Sequence, residues 1–303
     1  MIASWRELPA LPRALGGVFA GSIQGKLLVA GGSYWEGAPW IAGSKKLFVD
    51  SIYRFEAKGW KQIGSLPAPM GYGASFVKDD ALWLVGGQDA TGAKRAIYQV
   101  GLDGKCREIG QLPEPVMMPA FTTHEGHGYL LGGQPNLKLA LRSRDLQHWE
   151  RSETWPGPGR FFAQACSAPG ALYLAGGADL ADGQRIFLKD AYRLRANRWE
   201  RIADLPLPVQ AGFAAAPRGI PHIFGGSDGT LAPFEADFAD RHPGFSTVIW
   251  KFEAERWRPA GLMPYAPVTS TIVEWQGELV IPGGEDRPAH RSARVIAGKD
   301  FDE

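Results

Sequence analysis

Six Gly-Gly pairs, each closing a short apolar run, constrain this chain more than any other feature. They fall at Gly31-Gly32, Gly86-Gly87, Gly132-Gly133, Gly176-Gly177, Gly225-Gly226 and Gly283-Gly284, after the runs LLVA, LWLV, GYLL, LYLA, HIF and ELVIP. Each run reads as a short buried strand ending in a turn that needs permissive backbone. A tryptophan precedes the first glycine by 26 residues in four units (5 to 31, 60 to 86, 199 to 225, 257 to 283) and by 27 in a fifth (149 to 176). In the remaining unit Cys106 stands 26 residues before Gly132. Each of these segments then runs into a proline-bearing stop: ELPALP, GSLPAP, GQLPEP, ETWPGP, ADLPLP or AGLMPYAP. Proline has no N–H for a ladder, so the strand should end there.

A further strand lies between each Gly-Gly and the next tryptophan, as in SIYRFEA, AIYQVGL, AYRLRAN and VIWKFEA. Each unit therefore holds four strands, here a to d, with b ending in Gly-Gly and d carrying the tryptophan. Units of 44 (132 to 176) to 58 (225 to 283) residues with four strands are the size of a propeller blade. Six of them must stack round an axis, because one blade alone cannot bury both faces. The last unit has strands a, b and c near 268–274, 277–283 and 291–297 but no d strand, and residues 4–8 with Trp5 can supply it. The ring then closes by pairing the N-terminal strand with the C-terminal blade, which removes an exposed edge. The expectation is an all-β, six-bladed β-propeller forming one domain over residues 1–303. The Gly-Gly, aromatic and tryptophan pattern resembles the kelch repeat along essentially the whole chain. That resemblance implies fold and says little of chemistry.

Composition narrows the function classes. Lys and Arg number 33 against 32 Asp and Glu, so no field of one sign suits nucleic acid or an anionic membrane surface. No run of 18 apolar residues exists to span a membrane. Two cysteines exclude a disulfide scaffold and a four-cysteine zinc site. Cys106, in place of a d-strand tryptophan, should be a buried free thiol, and Cys166 should lie two blades away, too far for a disulfide. Arg6 and Glu7 interrupt the apolar stretch a signal peptide needs, so a cytoplasmic protein is expected from the chain as given, and a periplasmic one if it is a processed form.

In an up-and-down blade the b–c loops and d–a connections share one face. From the second glycine to the next d-strand marker the count is 28 (32 to 60), 19 (87 to 106), 16 (133 to 149), 22 (177 to 199) and 31 (226 to 257). Blades 1 and 5 carry the excess, in residues 33–49 and 227–247, and long loops in compact domains are usually functional. The same face receives Arg13, Tyr72, Arg160 and Gln210, polar groups suited to a small oxygen-rich ligand, while Met117, Met118 and Phe161 should fill the central channel.

The six histidines show no metal-ligand spacing, and no Tyr/His/Cys cluster for a copper oxidase can be assembled. Only Ser143-Arg144-Asp145-Leu146-Gln147-His148-Trp149 approaches a sialidase box, once and without its glycine; it reads better as a c–d turn held by the Ser and Asp side chains. More telling is the run from Gly283 to Val295, which sets Glu285 directly after Gly-Gly and Arg291 six residues on (285 to 291), at the expected start of strand c. This segment resembles the N-acetylneuraminate epimerase (sialic acid mutarotase) family of kelch propellers. The long, Lys-containing loop of blade 1 leading into Asp50-Ser51-Ile52-Tyr53, and the PFEADFADRHPGF loop of blade 5, are similar to family features as well. Their order around the ring resembles a cyclically permuted subgroup.

The resemblance implies Glu285 as proton acceptor with Arg291 beside it, a small acidic sugar as partner, and neither cofactor nor metal. Opening a hemiketal needs a base for the anomeric hydroxyl and an acid for the ring oxygen. A bidentate arginine, here Arg291, would hold a sugar carboxylate in a fixed pose. Arg13, Arg160, Arg241, Tyr72 and Gln210 are the further binding candidates. Two other readings stand beside this one: a non-catalytic kelch module that binds a protein, and a glycan-binding or glycoside-processing propeller. A catalyst should show a narrow pocket collecting Glu285 and arginines, whereas an interaction module should show a broad, shallow apolar face.

Overall fold

A computed structural model of the chain describes residues 4–37, 40–299 and 301; the expected N-terminal positions 1–3, the blade-1 loop positions 38 and 39, and residues 300, 302 and 303 lie outside the described residues. The expected repeat is present as six antiparallel sheets, one per blade. Blade 1 is built from Phe19–Ile23, Lys26–Ala30, Ser51–Glu56 and Gly59–Ser65. Blade 2 is Ala74–Lys78, Ala81–Val85, Gly92–Val100 and Cys106–Val116. Blade 3 is Ala120–His124, His127–Leu131, Ala140–Ser143 and Glu150–Arg151. Blade 4 is Gln164–Ala168, Ala171–Ala175, Ala191–Arg195 and Arg198–Ile202. Blade 5 is Phe213–Ala215, His222–Gly226, Ser246–Glu253 and Arg256–Leu262. Blade 6 is Val273–Trp275, Glu278–Pro282 and Val295–Lys299, completed by the N-terminal strand Ser4–Leu8.

Beyond its first residue strand b is apolar because it is covered on both faces, as in Ala81–Val85, where every residue is buried. Six apolar clusters fill the six interfaces between neighbouring blades. One joins Phe19, Leu28 and Ile52 of blade 1 to Leu82, Leu84 and Tyr98 of blade 2. The seam joins Leu8, Trp275 and Val280 of blade 6 to Val29 and Tyr53 of blade 1. Tryptophans of strand d also tie blades together. The Trp60 indole donates to the Pro9 carbonyl (2.8 Å), that of Trp199 to Glu153 (2.9 Å) and that of Trp257 to Ala203 (3.0 Å), each acceptor lying in the stop segment of the preceding blade.

The Gly-Gly turns require glycine for two reasons. Gly31 (φ 59°) and Gly283 (φ 66°) sit in the left-handed region, and a Cβ on either would strike a neighbouring carbonyl oxygen, that of Met70 or Leu15. The residue after each pair forms a two-way backbone bridge with the blade's entering segment: Gly16↔Ser33, Gly71↔Gln88, Met117↔Gln134, Phe161↔Ala178, Gln210↔Ser227 and Val268↔Glu285. One residue beyond each entering position, Gly17, Tyr72, Met118, Phe162, Ala211 and Thr269 form a closed ring. Each N–H donates to the carbonyl of the preceding member (2.5–3.1 Å), with Gly17 donating back to Thr269. This ring caps, on the loop face, an axial cavity of about 860 Å³ lined by the innermost strands.

Three expectations need correction. The proline stops do not always stop strand d: Pro113 and Pro115 lie inside Cys106–Val116. Strand d is the outer edge of its blade, where proline costs no ladder bond on the open side. Arg291 does not begin strand c of blade 6, which starts at Val295; it belongs to a small separate hairpin, Glu285–Arg287 with His290–Arg291. Cys106 is half-buried rather than buried, because that outer strand has one open side.

Burial pushes the Cys106 thiol up to about 11 and that of the fully enclosed Cys166 to about 12. Both should therefore stay protonated and sluggish at neutral pH. In native protein, a thiol reagent should leave Cys166 unmodified and label Cys106 well below the rate of free cysteine; rapid labelling of both would contradict this burial. The Ser143–Trp149 segment is the side-chain-held turn expected: Ser143 Oγ accepts from Leu146 N (2.8 Å), and Asp145 Oδ1 from Gln147 N (2.9 Å) and His148 N (2.8 Å).

Candidate active site

The six residues that follow Gly-Gly occupy equivalent places around the loop-face mouth. They are Ser33, Gln88, Gln134, Ala178, Ser227 and Glu285, so blade 6 alone places a carboxylate there. The short hairpin aligns Glu285 with Arg291 as cross-strand partners, which brings the two side chains together. Arg291 Nη1 donates to Glu285 Oε2, and its Nη2 donates to the Tyr72 hydroxyl (2.8 Å), with Ser33 Oγ at 3.5 Å. Glu285 also accepts from Thr269 Oγ1 (3.2 Å) and from the Ala289 N–H. The pair is largely enclosed, with 6% of the Arg291 side chain and 14% of that of Glu285 exposed. Burial lowers the Arg291 pKa from its ordinary value.

Tyr72 is the hinge of the cluster. Its backbone is left-handed (φ 61°) and belongs to the amide ring, while its hydroxyl meets Ser33 Oγ (3.1 Å) and Arg291. The Lys46 ammonium lies 3.9 Å from the Tyr72 ring centroid, and Phe48 and Phe162 pack edge-on against that ring. Burial acts to raise the phenol pKa, but the Arg291 and Lys46 cations and the Ser33 hydrogen bond outweigh it and hold it below the ordinary tyrosine value. Burial depresses the Lys46 pKa.

The other candidates divide. Arg13 is exposed, with its guanidinium 4.5 Å from the Tyr34 ring centroid, and lines a cavity of about 500 Å³ together with Trp35, Trp40, Asp240, His290 and Arg291. Arg241 is exposed on the single turn Ala239–Arg241 of the blade-5 insertion and contacts the Asp237 carbonyl (3.5 Å); its neighbour Asp240 reaches that cavity instead. Gln210 is buried, its side-chain Oε1 accepting from Arg185 Nη1 (3.4 Å). Arg160, expected to bind substrate, is 0% exposed. It is bound to Asp190 (2.8 Å) and the Gly176 carbonyl (2.8 Å) between the rings of Trp155 and Tyr192. A guanidinium so enclosed and neutralised supports the blade and has no free face for a ligand. Of the apolar residues expected to fill the channel, Phe161 is buried and Met118 lines the cavity.

Ser33, Lys46 and Thr269 were not anticipated. Ser33 and Thr269 are legible only once the six bridge positions are superposed. Lys46 follows Lys45, and hairpin register alone decides which of the two faces inward. Among the described residues no group of three or more His, Cys, Asp or Glu side chains could hold a metal ion.

Fold and site define the class: a kelch-type six-bladed β-propeller with an enclosed carboxylate–guanidinium pair on its loop face. Within that class the chain resembles the N-acetylneuraminate epimerases, whose sequence model matches residues 2–109. It is 33% identical over 125 residues to the N-acetylneuraminate epimerase of Brucella suis, an alignment covering 35% of this chain and 32% of that protein. The alignment thus spans about a third of that relative's length. The kelch-like protein terF of Aspergillus terreus is 27% identical over 264 residues, covering 78% of this chain and 55% of that one. The solved structure of YjhT superposes with a TM-score of 0.73 over 97% of this chain and 99% of its own, at 14% identity, which supports the fold alone. The stretch matched by the family includes Arg13, Ser33, Lys46 and Tyr72 and ends before Glu285.

Proposed function

We propose that the protein is a sugar mutarotase that interconverts the anomers of N-acetylneuraminate or a closely related acidic sugar. The observation that carries this reading is the carboxylate at one bridge position of six, enclosed and paired with a guanidinium at the mouth of the ring. Mutarotation asks for little beyond proton transfer. Glu285 takes the proton of the anomeric hydroxyl as the bond from the anomeric carbon to the ring oxygen breaks. A solvent water protonates the ring oxygen, which completes opening to the keto form. On reclosure at the other face of the carbonyl the attacking hydroxyl returns its proton to the hydroxide so formed, and the Glu285 proton passes to the carbonyl oxygen, which becomes the new anomeric hydroxyl. Arg291, held in turn by Tyr72 and Ser33, fixes the orientation of the base. The aromatic walls at Tyr34, Trp35 and Trp40 suit the apolar face of a sugar ring. The partial family resemblance supports the same substrate class.

The test is a time-resolved NMR measurement of anomer equilibration, started from pure α-N-acetylneuraminate. Catalytic amounts of protein should shorten equilibration in proportion to protein concentration. Equilibration at the buffer rate for every acidic sugar tried would reject the enzyme reading in favour of a binding module.

A further inference from the structure

We propose that Lys46 binds the substrate carboxylate, an inference that rests on the mutarotase reading and deepens it. Arg291 is the obvious carboxylate anchor by sequence, yet both of its terminal nitrogens are engaged, and only its enclosed Nε–H lacks a protein partner. Nη1 is on Glu285, Nη2 is on Tyr72 and Ser33, and Glu285 neutralises its charge. A second anion would have to break an existing enclosed ion pair.

Lys46 is differently placed. The blade-1 insertion forms a hairpin, Ser33–Glu36 with Lys45–Phe48, in which Lys46 pairs with Trp35 and Phe48 with Ser33. Strand alternation puts Lys46, Phe48, Ser33 and Trp35 on one face, and Lys45 on the other. That face leans on Tyr72: the Lys46 ammonium is 3.9 Å from the Tyr72 ring centroid and 5.4 Å from that of Phe48. Among the described residues no Asp or Glu side chain forms an ion pair with Lys46. A half-buried ammonium, set against aromatic faces and lacking a counter-ion, has much to gain from an incoming anion. The buried and already neutralised neighbours leave a single negative charge to be accommodated, which fits a monocarboxylate. Arg13 is the competing cation, but it is exposed and its field is screened by solvent.

The test compares Lys46→Met, Lys46→Arg and Arg13→Ala with the unaltered protein. Three probes are used: N-acetylneuraminate, neutral N-acetylmannosamine, and the α-methyl glycoside of N-acetylneuraminate, whose ring cannot open. Tryptophan fluorescence reads Kd, and anomer exchange by NMR reads kcat and KM. Lys46→Met should raise Kd for both acidic probes, and KM for N-acetylneuraminate, about ten- to hundredfold, the range of one charge-assisted contact. It should change kcat only a few-fold and leave the neutral sugar's Kd in place. Lys46→Arg should recover most of the loss, and Arg13→Ala should cost under about threefold. Unchanged acidic-sugar affinity in Lys46→Met, or equal loss for acidic and neutral sugars, would overturn the assignment. Lys46-dependent binding of the methyl glycoside, with N-acetylneuraminate equilibrating only at the buffer rate, would keep Lys46 and reject the mutarotase. Failure of the unaltered protein to bind either acidic probe would reject both.

Discussion

Glu285→Gln should bring anomer equilibration close to the buffer rate, a loss of about 10² to 10⁴ if the carboxylate is the general base. The amide keeps the shape of the side chain and can still accept the Ala289 N–H. It turns an N–H toward Arg291, however, and removes that residue's counter-charge. Breaking an enclosed pair in this way costs about 3 kcal/mol, so the variant should melt earlier while remaining a propeller. Glu285→Gln/Arg291→Met removes both charges, should regain part of the lost stability, and should stay inactive. Activity near the unaltered level in either folded variant would place the base elsewhere. If instead the unaltered protein is itself inactive on acidic sugars, the loop face is to be assayed for protein and glycan ligands.

Removing the N-terminal strand should have the largest effect on stability. Residues Ser4–Leu8 pair with Val295–Lys299 along their whole length, from Ser4↔Lys299 to Leu8↔Val295. Leu8 is 7% exposed in the seam, Trp5 packs against Gly298 and Phe301, and Arg6 pairs with Glu278. Loss of the two apolar side chains alone forfeits roughly 4 kcal/mol, and the new edge on blade 6 would be open to intermolecular pairing. A chain lacking residues 1–9 should melt about 10 °C lower and aggregate on heating. Supplying those residues as a free peptide should restore part of the loss, since an extended segment can add to an open edge. A truncated chain with the melting curve of the full one would show that this strand does not fasten the ring.

The strands were legible because burial on both faces leaves a strong signal: continuous apolar runs, each punctuated by a glycine pair that no other residue can replace. The tryptophan spacing was legible because the path from strand d through strands a and b to the next Gly-Gly has nearly the same length in every blade. What escaped depended on contacts between residues far apart in sequence. Nothing near Arg160 reveals that Asp190 lies opposite it, so a structural arginine read as a ligand-binding one. The two-rung hairpin at 285–291 is too short to show alternation, so its second arm read as the beginning of strand c. Lys45 and Lys46 are chemically alike, and only the pairing of Trp35 with Lys46 turns one of them toward Tyr72.

The closed ring of six amides beneath the mouth bears on what the fold can host. Each peptide group is a dipole, and in a helix such dipoles add head to tail along an axis until the ends carry partial charge. Around a closed ring the same head-to-tail sequence has no ends. The tangential components cancel, so the main chain offers a ligand on the axis no net in-plane pull of either sign. The electrical character of the mouth is therefore left to the six residues that follow Gly-Gly and to the loops above them. In five blades those residues are Ser33, Gln88, Gln134, Ala178 and Ser227, all uncharged. One ionised side chain at the sixth place, with its attendant cations, is then enough to polarise an otherwise neutral centre.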